Sequence, residues 1–317
     1  MIARPTRSDL VLLFALGLMW GTSYAFIKLG VDNGLPTFTL IATRLAIGLA
    51  LLATVVVITK TPLPRDPRTY GHLFVMAVIN VVIPFTLITT AERSVDSAIA
   101  AILNGAMPLI VIVLAAIVFH DEPITLNRLV GVIVGYVGVI VLVAPGLTAS
   151  TAGGSAVSGE LALIASTICY AIGAVYSRRM LRSRGLRPVV PAVFQVAFAL
   201  LMVSILAFIF EQPLGVSWNG SAILAVVWLG LLGSGLAYLV QFRLLSRIGA
   251  TGTAQLSYLL PVVGIVSGAL MLGEQIDAVV IAGTALVLGG VALVNSRYGT
   301  RRIWGRAMTP AEVAPKP

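Results

Sequence analysis

Apolar residues fall along this chain in ten long segments separated by short polar stretches. The segments cover roughly residues 10–30, 37–58, 70–90, 96–119, 126–144, 159–178, 188–210, 219–243, 250–272 and 276–295. Each is close to the about 20 apolar residues that a helix needs to cross the hydrocarbon core of a bilayer. The pattern therefore predicts an all-α membrane protein with ten transmembrane helices.

One part of this pattern occurs twice, first in residues 97–142 and again in residues 250–294. Ala101, Leu103, Pro108, Glu122, Gly131 and Gly138 have counterparts in Ala254, Leu256, Pro261, Glu274, Gly283 and Gly290. Repeats constrain the architecture of a chain strongly. We predict a first five-helix repeat in residues 1–146, a second in 156–296, and a basic, partly disordered cytoplasmic tail in 297–317.

An odd number of helices in each repeat makes the second repeat enter the membrane from the opposite side. Weaker similarities extend the pairing, since Pro36 and Arg44 are spaced much like Pro188 and Gln195. Inverted repeats are a common plan of secondary transporters, which bind substrate near the midplane between the halves.

The basic residues report the orientation of the chain. Hydrophobic residues make up 58% of the sequence and charged residues 10%, with mean hydropathy +1.02 and net charge +9. If the N-terminus is cytoplasmic, 18 of the 21 Lys and Arg residues fall on the cytoplasmic side, and Lys28 and Arg93 face outward. Cytoplasmic loops are enriched in Lys and Arg. We predict a multi-pass protein of a plasma membrane, the inner membrane of a bacterium, with both termini cytoplasmic. The basic charge then indicates contact with membrane lipid, not nucleic acid.

Several of these residues together resemble a known family. They are Trp20-Gly21-Thr22-Ser23, Arg44, the pattern Leu103…Pro108…Glu122, and its copy Leu256…Pro261…Gly273-Glu274. The sequence resembles the EamA branch of the drug/metabolite transporter superfamily over about residues 10–295. The resemblance implies a ten-helix bundle that exports small metabolites, amino acids among them. One departure is His120-Asp121-Glu122, in a loop, where the family more often has Leu-Gly-Glu.

No catalytic or cofactor motif accompanies the apolar segments. The sequence has no cluster of Cys, His and carboxylate residues at metal-ligand spacing, and no Gly-rich phosphate loop followed by Lys-Ser/Thr. We therefore expect no enzyme, no metal and no cofactor. All twelve acidic residues fall in loops or near helix ends, which disfavours coupling through a carboxylate at mid-depth in the membrane.

Arg44 is the one basic residue well inside a predicted helix and away from its ends. It lies about seven residues from the outer end, or roughly 10 Å at the rise of an α-helix. Arg can hold a substrate carboxylate with two hydrogen bonds. The alternative is a structural contact with backbone carbonyls or an outer acid, reached by extending toward the interface.

Uncharged polar and aromatic residues recur at mid-depth near prolines, which free a carbonyl one turn earlier in a helix. We predict a substrate pocket between the repeats and helix breaks at Pro84, Pro108 and Pro261. The candidate pocket residues are Trp20, Tyr24, Arg44, Asn80, Asn104, Tyr170, Tyr238, Gln241, Ser257 and Tyr258. The alternative for each is a structural hydrogen bond between helices, worth about 0.6 kcal/mol on average.

The function that fits these patterns is secondary transport by alternating access, with export of an amino acid or a related amphipathic metabolite. One alternative is a broad extruder of drugs or toxic cations, which an acidic residue at mid-membrane would favour. A non-transporting membrane scaffold is another. Glycine-rich faces mark the helices at 126–144 and 276–295 as supporting or dimer-forming, which leaves a homodimer open.

Overall fold

The computed structural model of the chain describes residues 6–119, 124–149, 155–181, 184–296 and 302–304. The departure at His120-Asp121-Glu122 and most of the tail from 297 onward lie outside the described residues. Membrane helices α1 to α10 span Arg7–Asp32, Thr37–Ile58, Pro67–Ala91, Ser97–Val118, Leu126–Ala149, Ser155–Met180, Val189–Phe210, Gly220–Leu245, Leu256–Leu272 and Ala278–Asn295.

Over the described ranges, nine of these helices are long and apolar enough to cross a membrane, and α9 is a shorter apolar helix of 17 residues. The predicted all-α membrane fold is confirmed. Two short strands form an antiparallel pair. They are Ile124–Thr125 (β1), just before α5, and Arg302–Trp304 (β2), after α10.

Three of the helices change geometry near mid-length. Residues Val78–Val82 of α3 and Leu229–Leu236 of α8 form π-helical segments, which the sequence did not predict. The first precedes Pro84, which has no N–H for the carbonyl of residue 80. Helix α4 is interrupted at Ala106, two residues before Pro108.

The break predicted at Pro261 is not present. Helix α9 continues through this proline. Pro261 is the sixth residue of α9, so its missing N–H frees only the carbonyl of Ser257 in the first turn. The change of direction falls earlier instead, at a kink beyond α8 where Gly249 has a positive φ of 71°, and a short helical piece then runs to Thr253.

The helices pack in pairs that a two-fold relation between the five-helix halves requires. Helix α2 contacts α7, α4 contacts α9 and α5 contacts α10, each the counterpart of its partner. Each of the other major contacts has a counterpart in which both helices are replaced by their equivalents in the other half. The contact of α1 with α9 corresponds to that of α6 with α4, α3 with α6 corresponds to α8 with α1, and α2 with α8 corresponds to α7 with α3. The two π-helical segments lie in counterpart helices, so the relation extends to local geometry.

The glycines of α5 and α10 bring these two helices into backbone contact. A Cβ on Gly131 would lie 2.6 Å from the carbonyl oxygen of Gly290, and one on Gly138 would lie 2.7 Å from the amide nitrogen of Val287. Such spacing excludes a side chain at either position. The glycine faces that the sequence marked as supporting or dimer-forming therefore pack on each other within one chain.

Short connections make consecutive helices alternate in direction, so the start of α1 and the end of α10 lie at one end of the bundle. We call this the inner end, and the opposite one the outer end. At the inner end Arg247 pairs with Asp9 at 3.1 Å, and Arg184 pairs with Asp66 at 2.6 Å. The backbone N–H of Arg68, and then Arg184, hold the pKa of the Asp66 carboxyl below its usual value.

Candidate functional site

A cavity of about 190 Å³ lies between the two halves of the bundle. Seven helices line it, namely α1, α2, α3 and α4 from the first half and α6, α8 and α9 from the second. The lining residues are Trp20, Ser23, Tyr24, Ile27, Arg44, Asn80, Phe85, Ile88, Asn104, Met107, Tyr170, Tyr238, Gln241 and Leu260. Arg44 is the only charged side chain among these residues.

The structure brings eight of the ten candidate pocket residues to this cavity: Trp20, Tyr24, Arg44, Asn80, Asn104, Tyr170, Tyr238 and Gln241. Ser257 and Tyr258 are outside the lining. The Tyr258 hydroxyl donates to the carbonyl of Val291 at 3.1 Å and accepts from Asn295 at 3.1 Å. Tyr258 therefore faces α10, whereas Leu260, two residues further along α9, faces the cavity.

Arg44 is held beside the π-helical segment of α8. It is 3% exposed, and its Nε donates to the hydroxyl of Ser234 at 3.2 Å. Its guanidinium carbon lies 4.4 Å from the centre of the Phe85 ring. No described carboxylate lies within ion-pair distance of Arg44. The guanidinium thus has a neutral hydrogen bond and an aromatic face beside it, and no carboxylate of the described residues forms an ion pair with it.

Gln195 occupies the position in α7 that corresponds to Arg44 in α2. It is 4% exposed, and its Oε1 accepts from the Nδ2 of Asn80 at 3.3 Å. Asn80 lies in the π-helical segment of α3, as Ser234 lies in that of α8. Each half therefore places a polar residue of its second helix against the π-helical segment in the third helix of the other half, and only in the first half is this residue a cation.

Asn104 is tied to its neighbours more tightly than the other candidates. Its Nδ2 donates to the carbonyl of Ala100 at 3.0 Å, and its Oδ1 accepts from the hydroxyls of Ser166 and Thr167, both at 3.3 Å. These contacts join α4 to α6. Asn104 therefore both forms structural hydrogen bonds between helices and lines the cavity.

The aromatic wall depends on a close approach of α8 to α1. The Trp20 Nε1 donates to the carbonyl of Gly233 at 3.0 Å, and the Trp20 and Tyr238 rings meet edge to face with centres 6.1 Å apart. A Cβ on Gly233 would lie 2.9 Å from the Ser23 hydroxyl and 3.3 Å from an Arg44 nitrogen. Glycine at this position lets the helix backbone reach the polar lining.

The sequence did not single out Ser23, Ile27, Phe85, Ile88, Met107 and Leu260 as lining residues. Most are apolar and indistinguishable in sequence from residues that face lipid. A signal was available for some of them, because Ile27 and Ile88 lie three and eight residues from Tyr24 and Asn80 on the same helix. Such spacings place them near the same faces.

A ten-helix bundle of two inverted halves around a central polar and aromatic cavity is the architecture of a secondary transporter. The profile described as the EamA-like transporter family matches residues 7–144 and again residues 157–296. The chain belongs to this family. It is a multi-pass membrane transporter, not an enzyme.

Several named relatives cover nearly the whole chain. A probable amino-acid metabolite efflux pump of Salmonella typhimurium (strain LT2) is 24% identical over 307 residues, which cover 94% of this chain and 98% of the relative. The uncharacterized transporter YoaV of Bacillus subtilis (strain 168) is 23% identical, with 92% and 98% covered. The uncharacterized inner membrane transporter YedA of Escherichia coli (strain K12) is 25% identical, with 89% of each chain covered.

A solved crystal structure shares the fold. It matches with a TM-score of 0.64 at 23% identity and covers 91% of this chain and 96% of that chain. At this identity the likeness shows the fold alone.

Proposed function

We propose that this protein exports small amphipathic metabolites, amino acids among them, through the cavity between its two halves by alternating access. The observation that carries the proposal is the position of Arg44, a buried cation on the wall of a cavity lined from both halves. A substrate carboxylate supplies the negative partner that the described part of the protein does not.

The size and lining of the cavity favour a small metabolite. Pockets for drug-sized ligands usually measure about 300–1,000 Å³, and this cavity measures about 190 Å³. The rings of Trp20, Tyr24, Tyr170 and Tyr238 suit an apolar side chain, while Asn80 and Gln241 offer amide groups to a polar end. The name of the Salmonella relative, an amino-acid metabolite efflux pump, agrees with this substrate class.

The rival function, broad extrusion of drugs or toxic cations, fits the lining less well. The described cavity residues include no Asp or Glu, and Arg44 repels a cationic ligand. We further propose that the inner end faces the cytoplasm and that the membrane is a bacterial inner membrane. The 18 Lys and Arg residues assigned to that side support the orientation.

The proposal can be tested by counterflow in proteoliposomes with a panel of labelled amino acids and, in parallel, quaternary ammonium compounds. We expect uptake of one or more amino acids with an apolar side chain, and inhibition by the unlabelled compound. Counterflow of the quaternary ammonium compounds alone would support the rival function.

Two variants then test the role of Arg44. Arg44→Gln removes the charge, and we expect it to weaken the apparent affinity for a carboxylate-bearing substrate by tenfold or more, since hydrogen bonds to charged groups contribute about 1.5–3 kcal/mol. Arg44→Lys keeps the charge but loses the planar fork. It should recover part of the affinity. Equal affinities in both variants and in the unmodified protein would exclude Arg44 as the carboxylate anchor.

A further inference from the structure

An acidic residue is buried where α3 ends, one turn outward from the cavity. Glu92 is 0% exposed, and neither of its carboxylate oxygens has a hydrogen-bond partner among the described residues. Ile88, four residues earlier on the same helix, lines the cavity. Four residues of helix correspond to about 6 Å, so Glu92 lies about one turn outward from the cavity-lining Ile88.

Lys28 contacts the backbone at Glu92 and not the carboxylate. The Nζ of Lys28 donates to the backbone oxygen of Glu92 at 2.8 Å and to that of Val95 at 3.3 Å. These bonds join α1, one residue after the cavity-lining Ile27, to the turn after α3. The Lys28 ammonium is thereby held by two carbonyls and lies 4.0 Å from the Asp32 carboxylate, while the Glu92 carboxyl has no ion-pair partner among the described residues.

The other charged groups around Glu92 come from five parts of the chain. Asp32 lies on α1 and Arg44 on α2, and Glu160 is buried on α6, next to Gly159, which packs against Val95. Glu274 follows α9, and its carboxylate accepts from the amides of Ser97 and Ala98. In the turn that begins at Glu92, Asp96 is exposed, and Arg93 donates to the carbonyl of Leu35 and the hydroxyl of Thr37.

Burial dominates the ionisation of this group. It raises the pKa of the Glu92 carboxyl well above its usual value; Lys28 opposes this shift, and Glu274 adds to it. A buried charge without a partner is costly, and such a group binds a proton instead. In this buried position Glu92 is therefore neutral over a wider range of pH than an exposed glutamate.

We propose that Glu92 is a proton-binding site that controls the outer end of the cavity. With the proton bound the outer end stays closed. When the outer end opens, the carboxyl meets external water, its O–H bond breaks, and the proton passes to that water. This inference rests on the proposed alternating access and adds a ligand, the proton, to the same cavity.

The direction of the pH effect follows from the two states. The neutral carboxyl favours the closed state at low external pH. This preference disappears as the pH rises through the raised pKa of the buried group, because the ionised form favours the open, hydrated state. The outer end should therefore open more often as external pH increases.

The test measures how fast a cysteine in the cavity reacts from outside, and it needs no transported compound. In spheroplasts carrying Cys169→Ala, Ile27→Cys reports opening, since Ile27 is 4% exposed and lines the cavity. Gly220→Cys, at an exposed position where a Cβ meets no atom within 4 Å, corrects for thiol chemistry at each pH. The reagent is a membrane-impermeant methanethiosulfonate.

We expect the corrected reactivity of Ile27→Cys to rise about tenfold from about pH 6 to about pH 8, within the limit of tenfold per pH unit for one proton. Glu92→Gln, which mimics the protonated acid, should keep the low reactivity at every pH. Asp96→Asn is the matched control, with the same charge change in the same turn, and should keep the rise.

Two outcomes overturn the proposal: a flat profile in the parent protein, or a rise that persists in Glu92→Gln. If Glu92→Gln fails to fold, Glu92→Asp takes its place and should retain the rise, and infrared spectra of the parent should show a protonated carboxyl signal that disappears across the same pH range. Absence of that signal at low pH also overturns the proposal.

The proton site and the proposed function can fail separately. Protection of Ile27→Cys by amino acids at a pH-independent rate would remove the proton site and leave the export function. A pH-dependent rate without protection by any amino acid would do the reverse.

Discussion

The carboxylate of Glu274 accepts the backbone N–H of Ser97 at 2.7 Å, across the boundary between the two halves of the chain. Its second oxygen accepts the N–H of Ala98 at 3.0 Å. An acid from the second half thus caps the first turn of α4, where unpaired N–H groups and the helix dipole favour a negative charge. The repeated Glu of the sequence has a structural role at this position.

Replacing this cap should destabilise the protein. We expect Glu274→Ala to reduce the free energy of unfolding by about 2 kcal/mol, because it leaves two N–H groups without their charged acceptor. Thermal unfolding in detergent measures the effect. Asp277→Ala is the control, since Asp277 accepts from the N–H of Val280 at an exposed position within its own helix. It should cost about 1 kcal/mol or less; an equal loss in the two variants would contradict the contribution of the contact between halves.

Asn104 and Gln241 should respond differently to truncation. Asn104→Ala removes two bonds between α4 and α6, and we expect a loss of about 1 kcal/mol of stability at about 0.6 kcal/mol for each. The Ser166 and Thr167 hydroxyls keep their bonds to the carbonyl of Leu163. Thermal unfolding should therefore show a small, measurable decrease.

Gln241→Ala should instead leave stability unchanged and weaken substrate affinity several-fold, the equivalent of one neutral hydrogen bond of about 0.5–1.5 kcal/mol. Counterflow titration measures the affinity. An unchanged affinity together with reduced stability would show that Gln241 has a structural role only.

Adjacent glycines of α10 provide a test of the contact with α5. A Cβ on Gly290 would lie 2.5 Å from the amide nitrogen of Gly135, whereas one on Gly289 would meet no atom within 4 Å. Gly290→Ala should destabilise by about 1–3 kcal/mol through overpacking. Gly289→Ala should be neutral or stabilise by about 0.5–1 kcal/mol, because alanine favours a helix. Similar melting temperatures for the two variants would contradict the backbone contact.

Orientation can be measured with another matched pair. Gly71 near the start of α3 and Gly220 at the start of α8 are exposed, and a Cβ at either meets no atom within 4 Å. With Cys169→Ala as background, Gly220→Cys should react with an impermeant maleimide in intact cells. Gly71→Cys should react only after the membrane is permeabilised. The reverse pattern would invert the proposed topology.

The sequence predicted the helices well because membrane spans depend on long runs of apolar residues, which are local signals. It placed Trp20, Tyr24 and Tyr238 among the candidates, and the structure brings them to one cavity. Tyr258 shows the limit of this reasoning. Spacing identifies which residues share a helix face, but the neighbouring helices decide whether that face meets α10 or the cavity.

Two other features depend on tertiary contacts that a sequence does not display. Glu92 lies near a helix end, as predicted. Helix α1 and the turn before α4 nevertheless cover this end of α3, so Glu92 is fully buried despite its terminal position. The π-helical segment of α8 contains glycines and no proline. The counterpart segment in α3 contains Asn80 and no glycine, so the two π-helical segments share no residue pattern from which they could be predicted.

The glycine contact between α5 and α10 has a consequence for movement. With backbone against backbone at Gly131 and Gly290, sliding by even one residue would drive a side chain into the opposite main chain. We therefore expect α5 and α10 to move together as one rigid body while the other eight helices change position around the cavity. The rigid pair would then contain one helix from each half of the duplicated chain, so the boundary between fixed and moving parts would differ from the boundary between the two repeats.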